Sequence, residues 1–306
     1  MPEKILNLSQ NLRGILYMLA ATLFLTGMAA IVRILTPDMH PFEIAFMRNV
    51  IGFFLILPFL LRHGSALFVT TKGDLWLMGW RGVFNAMAMI LYFLGIALIP
   101  LAEVSALAFT TPFFVAILAI FLLNDIPGWR RTASLIAGFI GALIVLRPGV
   151  ETVSIGSLYV IGSAASWAAA VIIIKSLSAR NSSLTITFYA LVFLTVLTLP
   201  PALLVWRWPT PTEYMLLAAG AACGTLGQIL FAQSMKSADV SLVMPFDYTK
   251  LIWAAIIGIV LFAEVPTIWT LLGGTVIFIS SSYLTYRERH AAKAKASDPE
   301  APSSPS

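Results

Sequence analysis

Four charged side chains lie where an apolar chain should carry none: Arg48, Arg81, Asp247 and Lys250. Each sits inside a run of about 20 mostly apolar residues, enough for a helix to cross a hydrocarbon core of about 30 Å. A charge at mid-bilayer costs about 2.5–3.5 kcal/mol on insertion scales, so such groups pair with one another or line a wet cavity. Three cations against one acid suit a solute carboxylate or phosphate, leaving Asp247 for an amine.

The neighbours of these charges extend the pattern. Arg81, Asn85, Ala88 and Tyr92 follow one another at intervals of 4, 3 and 4, which puts them on one helical face, with Ile90 and Leu94 on the other. That stripe reads either as a cavity wall or as an Arg81 that snorkels to the cytoplasmic edge. Asp247 and Lys250 are three apart and form either an internal ion pair or two solute contacts, with Asp247 also a candidate proton carrier. Pro245 removes a backbone donor and loosens the helix around them. Arg48 shares its face with Gly52, which permits close packing. It is a solute ligand or a gate partner of Asp38 or Glu103. Glu43, at the span edge, reads as interfacial. Gln228 is a mid-span hydrogen-bonding group among Gly220, Gly224 and Gly227, which read as a packing seam. Trp167, near a span centre rather than its edge, either stacks on a ring or cation or packs in the core.

The elements that carry these residues must be membrane helices. Of the residues, 59% are hydrophobic and 11% charged, against about 25% charged in a soluble domain. The apolar runs predict ten spans, at 14–35, 43–62, 74–96, 101–123, 129–147, 155–175, 185–205, 212–234, 240–262 and 267–286. They are continuous rather than alternating, which argues against a barrel. The first is longer than a secretory signal and lacks a small-residue exit, so it reads as a retained helix.

The second half restarts the first. Gly14-Ile15-Leu16-Tyr17 is matched by Gly156-Ser157-Leu158-Tyr159, and Arg33 by Lys175 at the same offset of 142. Ala102-Glu103-Val104-Ser105 is matched by Ala238-Asp239-Val240-Ser241, and Asp125-Ile126-Pro127 by Glu264-Val265-Pro266. The acids Glu103, Asp125, Asp239 and Glu264 read first as helix caps. An odd number of spans per copy inverts the second copy, a pattern of alternating-access carriers. With the N-terminus inside, thirteen Lys and Arg face the cytoplasm, three (Arg33, Arg147, Arg207) face outward and three lie within spans. That positive-inside bias places both termini in the cytoplasm and accounts for the basic balance without nucleic acid. Residues 287–306 turn basic and then Pro/Ser-rich and acidic, and are expected to be a disordered tail whose basic part could meet anionic lipid.

Phe46-Met47-Arg48-Asn49, the stretch from Trp80-Arg81-Gly82 to Tyr92-Phe93, Pro100 to Leu107, and Thr110-Thr111-Pro112 resemble the second, third and fourth helices of the EamA family of the drug/metabolite transporter superfamily. The resemblance covers residues 13–147 and 156–285. It implies ten helices around a central cavity and transport of small metabolites. The Arg-bearing second and third helices look most like the branch that includes S-adenosylmethionine carriers.

The expectation is therefore an all-α, multi-pass protein of the inner (plasma) membrane, with two inverted five-helix repeats. Its function is secondary transport of a zwitterionic or anionic metabolite, with Arg48, Arg81, Asn85, Tyr92, Trp167, Gln228, Asp247 and Lys250 as contacts. A broad exporter of lipophilic drugs or amines is the alternative. No Walker A sequence, metal-ligating cluster or catalytic pair is present; His40, His63 and His290 fall in loops or tail, so neither enzyme nor cofactor is expected. The partners are the solute and the lipid bilayer; solute identity, direction, coupling and oligomeric state stay open.

Overall fold

The computed structural model describes residues 2–61, 71–123, 129–147, 153–178, 180–181, 183–237, 243 and 246–297. Among them, eleven helices follow one another: α1 Pro2–Leu35, α2 Pro41–Leu61, α3 Lys72–Leu98, α4 Leu101–Ala108, α5 Thr111–Leu123, α6 Trp129–Leu146, α7 Ile155–Ser178, α8 Ser183–Leu203, α9 Pro211–Ser237, α10 Thr249–Phe262 and α11 Ile268–Ser297. The fold is all-α. Among the described residues, seven segments are long and apolar enough to cross a membrane, and three shorter apolar helices (Thr132–Leu146, Thr249–Phe262, Ile268–Ser280) accompany them. Large apolar side chains such as Phe54, Trp129, Phe139, Val196 and Val260 face outward all round the bundle. Such a surface is stable only where lipid replaces water.

Local chemistry sets the helix ends. Pro41 and Pro211 occupy the first position of α2 and α9, where a missing N–H costs nothing. Thr71 caps α3 by accepting from the Asp74 N–H, and Thr210 accepts likewise from the Glu213 N–H. The two caps lie 139 residues apart.

The span expected at 101–123 is not one helix. It breaks into α4 and α5 at Phe109–Thr110. Pro112 has no N–H for the Ala108 carbonyl four residues earlier. The Thr111 hydroxyl donates to that carbonyl instead, at 2.8 Å, and the Thr110 hydroxyl to Leu107 O at 2.7 Å. A polar backbone turn is thereby satisfied inside an apolar segment, which lipid demands. The expected loosening at Pro245 lies outside the described residues, and α10 begins at Thr249. Where the tail was expected from 287, α11 continues to Ser297.

Packing pairs α1 with α9, α3 with α7, α6 with α11 and α2 with α8; α1 also meets α10, and α7 meets α4 and α5. On the α6–α11 seam the backbones touch. A Cβ on Gly273 would lie 2.6 Å from the Gly141 carbonyl oxygen, and one on Gly141 3.0 Å from that of Gly273. Only glycine permits this approach, and in a membrane such contact replaces the missing hydrophobic drive. The main core runs through Met39, Ile44, Phe93, Ile96, Leu107 and Val160. A smaller cluster, Met78, Leu177 and Ile186, lies toward the start of α3.

Candidate functional site

Arg48, on α2, stands close to four other helices. Its Nη1 donates to Asn49 Oδ1 at 3.3 Å and lies 3.8 Å from Met89 Sδ on α3. Asn49 Nδ2 donates to Thr198 Oγ1 on α8 at 3.3 Å. Gly224 on α9 makes the space for the guanidinium: a Cβ there would lie 2.6 Å from Arg48 Nη2 and 2.7 Å from Met28 Sδ on α1. Arg48 Nε has no hydrogen-bond partner, and among the described residues no acid pairs with the guanidinium. Neither gate partner weighed from the sequence reaches it. Asp38 gives its carbonyl to Arg207, and Glu103 accepts from Ser157 Oγ at 2.7 Å. A half-buried, uncompensated cation in a membrane helix is expensive unless water or a solute anion completes it.

Asp247 and Lys250 do pair, at 2.5 Å, and the ammonium also sits 5.8 Å from the Phe231 ring centroid on α9. Beside them Thr22 of α1 and Thr249 of α10 join hydroxyls at 2.8 Å, and Trp253 Nε1 donates to Thr22 Oγ1 at 3.2 Å. Phe231 lies seven residues from Gly224, two turns along the same face of α9. Arg48 and the Asp247–Lys250 pair therefore touch one helix face at points about 10 Å apart by helical rise. The helix break adds aromatic contact: Phe109, at the α4–α5 turn, packs on Tyr248, at the start of α10, with ring centroids 4.6 Å apart.

The other expected contacts spread more widely. Arg81 is buried and donates to the Ile186 carbonyl of α8 at 2.8 Å, beside the small Met78 cluster. Asn85 and Tyr92 on its helix are half-buried. Trp167 on α7 and Gln228 on α9 are exposed. The structure thus gathers Arg48, Asp247 and Lys250 around α9 and directs Arg81 toward α8.

Two corrections concern acids. Glu43, expected at the interface, is fully buried, and neither carboxyl oxygen has a hydrogen-bond partner among the described residues. The α8–α9 connection covers that first turn of α2, with Trp206 packed edge-on against Phe46. Glu264, read as a cap of its own hairpin, instead caps α4: its Oε2 accepts from the Leu101 N–H at 3.0 Å. Pro100 precedes α4 and has no side-chain oxygen to do so. Asp125 and Asp239 lie outside the described residues.

The sequence reading missed Thr22, Thr249, Trp253, Phe109 and Tyr248. Their signal was weak, because threonine and aromatic residues are ordinary in membrane helices. A cavity of about 450 Å³ opens at the end of the bundle near Arg207 and Glu213, which hold each other in a two-pronged ion pair. Asp38 and Leu216 also line it, and none of the eight expected contacts does. It lies at the end of the bundle, apart from Arg48, Asp247 and Lys250.

Residues 12–147 and 154–286 match the model of the EamA-like transporter family. An S-adenosylmethionine uptake transporter of Rickettsia bellii is 29% identical over 257 residues, covering 84% of this chain and 88% of the relative. A riboflavin transporter of Vibrio cholerae is 31% identical over 250 residues, covering 80% and 83%. The pseudopaline exporter CntI of Pseudomonas aeruginosa is 31% identical over 273 residues, covering 87% and 94%. Apolar helices throughout, charged groups buried among them and a family match over nearly the whole length make this chain a multi-pass membrane transporter that belongs to the EamA-like transporter family.

Proposed function

We propose that the protein is a secondary transporter of the inner membrane that moves a small zwitterionic or anionic metabolite, an amino acid derivative of the S-adenosylmethionine kind. The observation that carries this is Arg48, a mid-helix guanidinium with no acidic partner among the described residues. It receives the solute carboxylate. About 10 Å along α9, Asp247 receives an amine or other cation once Lys250 releases it, and Tyr248 and Phe109 flank the path. The charges of a plain α-amino acid are only roughly 3 Å apart, so a larger derivative is needed to bridge the two points. Arg81, Asn85, Tyr92, Trp167 and Gln228 remain candidate contacts in other states of the cycle.

Ten spans in two inverted repeats, residues 13–147 and 156–285, supply the motion. The support is the contact pattern. Exchanging the halves turns α1 on α9 into α7 on α3 and α1 on α10 into α7 on α4 and α5, and leaves α2 on α8 and α6 on α11 unchanged. Both termini lie in the cytoplasm, on the loop-charge argument above, so the Arg33 end faces outward.

The test is uptake of labelled S-adenosylmethionine into proteoliposomes, with counterflow against amino acids and nucleotides. Saturable uptake lost in Arg48→Ala supports the reading. Lipophilic-amine efflux that survives Arg48→Ala, with no uptake of any carboxylate, would overturn it in favour of a drug exporter.

A further inference from the structure

Arg33 and Glu264 sit 231 residues apart and come from opposite halves of the chain, yet they meet at 2.7 Å at the outer end of the bundle. The contact is more than an ion pair. Arg33 Nη1 donates to the Ile96 carbonyl at 2.5 Å, in the last turn of α3. That carbonyl belongs to the orphan acceptors that end every helix. Glu264 gives its other oxygen to the Leu101 N–H, an orphan donor at the start of α4. The pair therefore clamps the corner between α3 and α4, fastening it to the end of α1 and to the α10–α11 connection. Both side chains are largely shielded, at 21% and 14% exposure, so the contact is drier than a surface pair, which is worth little.

Glu264 is presented by a shaped backbone. Ala263 takes the left-handed conformation, φ 54°, and the Glu264 N–H returns to the Gly258 carbonyl at 2.9 Å. A non-glycine residue at positive φ costs free energy and persists where the surroundings demand it. The turn aims the carboxylate inward over the bundle rather than out to solvent.

We propose that Arg33 and Glu264 form the closed outer gate of the transport path. The proposal rests on the transporter reading above and adds the residues that seal one side. Directly beneath lies the face of α1 that carries Thr26 and Thr22, seven and eleven residues before Arg33 and so on nearly the same side of the helix. Thr22 is the residue bonded to Thr249 and Trp253 at the Asp247–Lys250 cluster. The clamp is therefore stacked over the polar path. Opening outward separates the guanidinium from the carboxylate and frees the α3–α4 corner. A solute carboxylate that competes for Arg33, or a cation that competes for Glu264, releases it.

The experiment uses the full chain in proteoliposomes, with Cys223→Ala to remove the native thiol and Thr26→Cys as reporter. Thr26 is 5% exposed and lies about 10 Å below Arg33 by helical rise. A membrane-impermeant maleimide is applied from each side in turn. With the gate intact, labelling from the outside is slow. Arg33→Ala raises the outside rate at least about tenfold and leaves the inside rate unchanged, while Arg33→Lys, which keeps the ion pair, stays near the parent. Glu264→Gln, which keeps an acceptor for Leu101 but loses the charge, also speeds outside labelling and serves if Arg33→Ala fails to fold. Outside labelling unchanged within twofold in both charge-removing variants overturns the gate. So does an equal rise from both sides, which marks local loosening. Loss of the transporter reading would show separately, as no solute uptake in the parent protein whatever the labelling.

Discussion

Replacing Gly224 with alanine tests Arg48 without touching it. The added Cβ would stand 2.6 Å from Arg48 Nη2 and 2.7 Å from Met28 Sδ. Ordinary non-bonded contact needs about 3.5 Å, so the guanidinium must retreat by about 1 Å. Both obstructing atoms end flexible side chains, so the backbone keeps its place. Alanine also favours the helix over glycine by about 1 kcal/mol, which offsets the crowding. The expected outcome is a well-folded protein with a mispositioned cation. A 1 Å misplacement of a positioning group can cost roughly 10²-fold. We therefore expect the KM for labelled S-adenosylmethionine to rise by about tenfold to a hundredfold in proteoliposome uptake. The midpoint of thermal unfolding in detergent stays within a few degrees of the parent. A KM unchanged within twofold, in a protein whose Arg48→Ala variant is inactive, would refute the argument that this geometry presents Arg48 to the solute.

Other expectations follow from the same contacts. Arg48→Lys keeps the charge but loses the planar fork, and uptake should fall at least about tenfold, since the two cations are not interchangeable at a two-pronged site; parent-like uptake would count against a carboxylate ligand. Gly273→Ala drives a Cβ against the Gly141 backbone, which cannot swing aside, so thermal unfolding in detergent should reveal a loss of about 1–3 kcal/mol. Thr111→Val leaves the Ala108 carbonyl without the hydroxyl that replaces the N–H missing at Pro112. Such an unmet buried group costs about 1–3 kcal/mol, measurable by the same assay, and a neutral result would mean the break is satisfied otherwise. Trp253→Phe keeps an aromatic ring but removes the indole donor to Thr22 along with part of the side-chain volume. We expect a small stability change, about 1 kcal/mol, with a larger effect on transport rate if α10 must stay aligned with α1.

Much was determined by the sequence alone, for reasons of solvent and period. Lipid cannot satisfy backbone groups, so unbroken apolar runs of this length had to be helices. Insertion is costly for a charge, so Arg48, Arg81, Asp247 and Lys250 stood out. The Asp247–Lys250 pair was legible because residues three apart stay within reach of each other at the start of a helix, Asp247 just before α10 and Lys250 in its first turn. What the tertiary structure decided is everything that joins residues distant in the chain. Arg48 owes its place to Gly224 and Met89 on two other helices. Arg81, with the same charge and a similar depth, turns to a carbonyl of α8 instead. Glu264 reads as a local cap, because an acid before a proline usually is one, yet it caps α4 and holds Arg33 from the other half. Glu43 looks interfacial by position and is covered by a connection more than 160 residues away. Periodicity reports which face a residue occupies; only the packing of the helices says what that face meets.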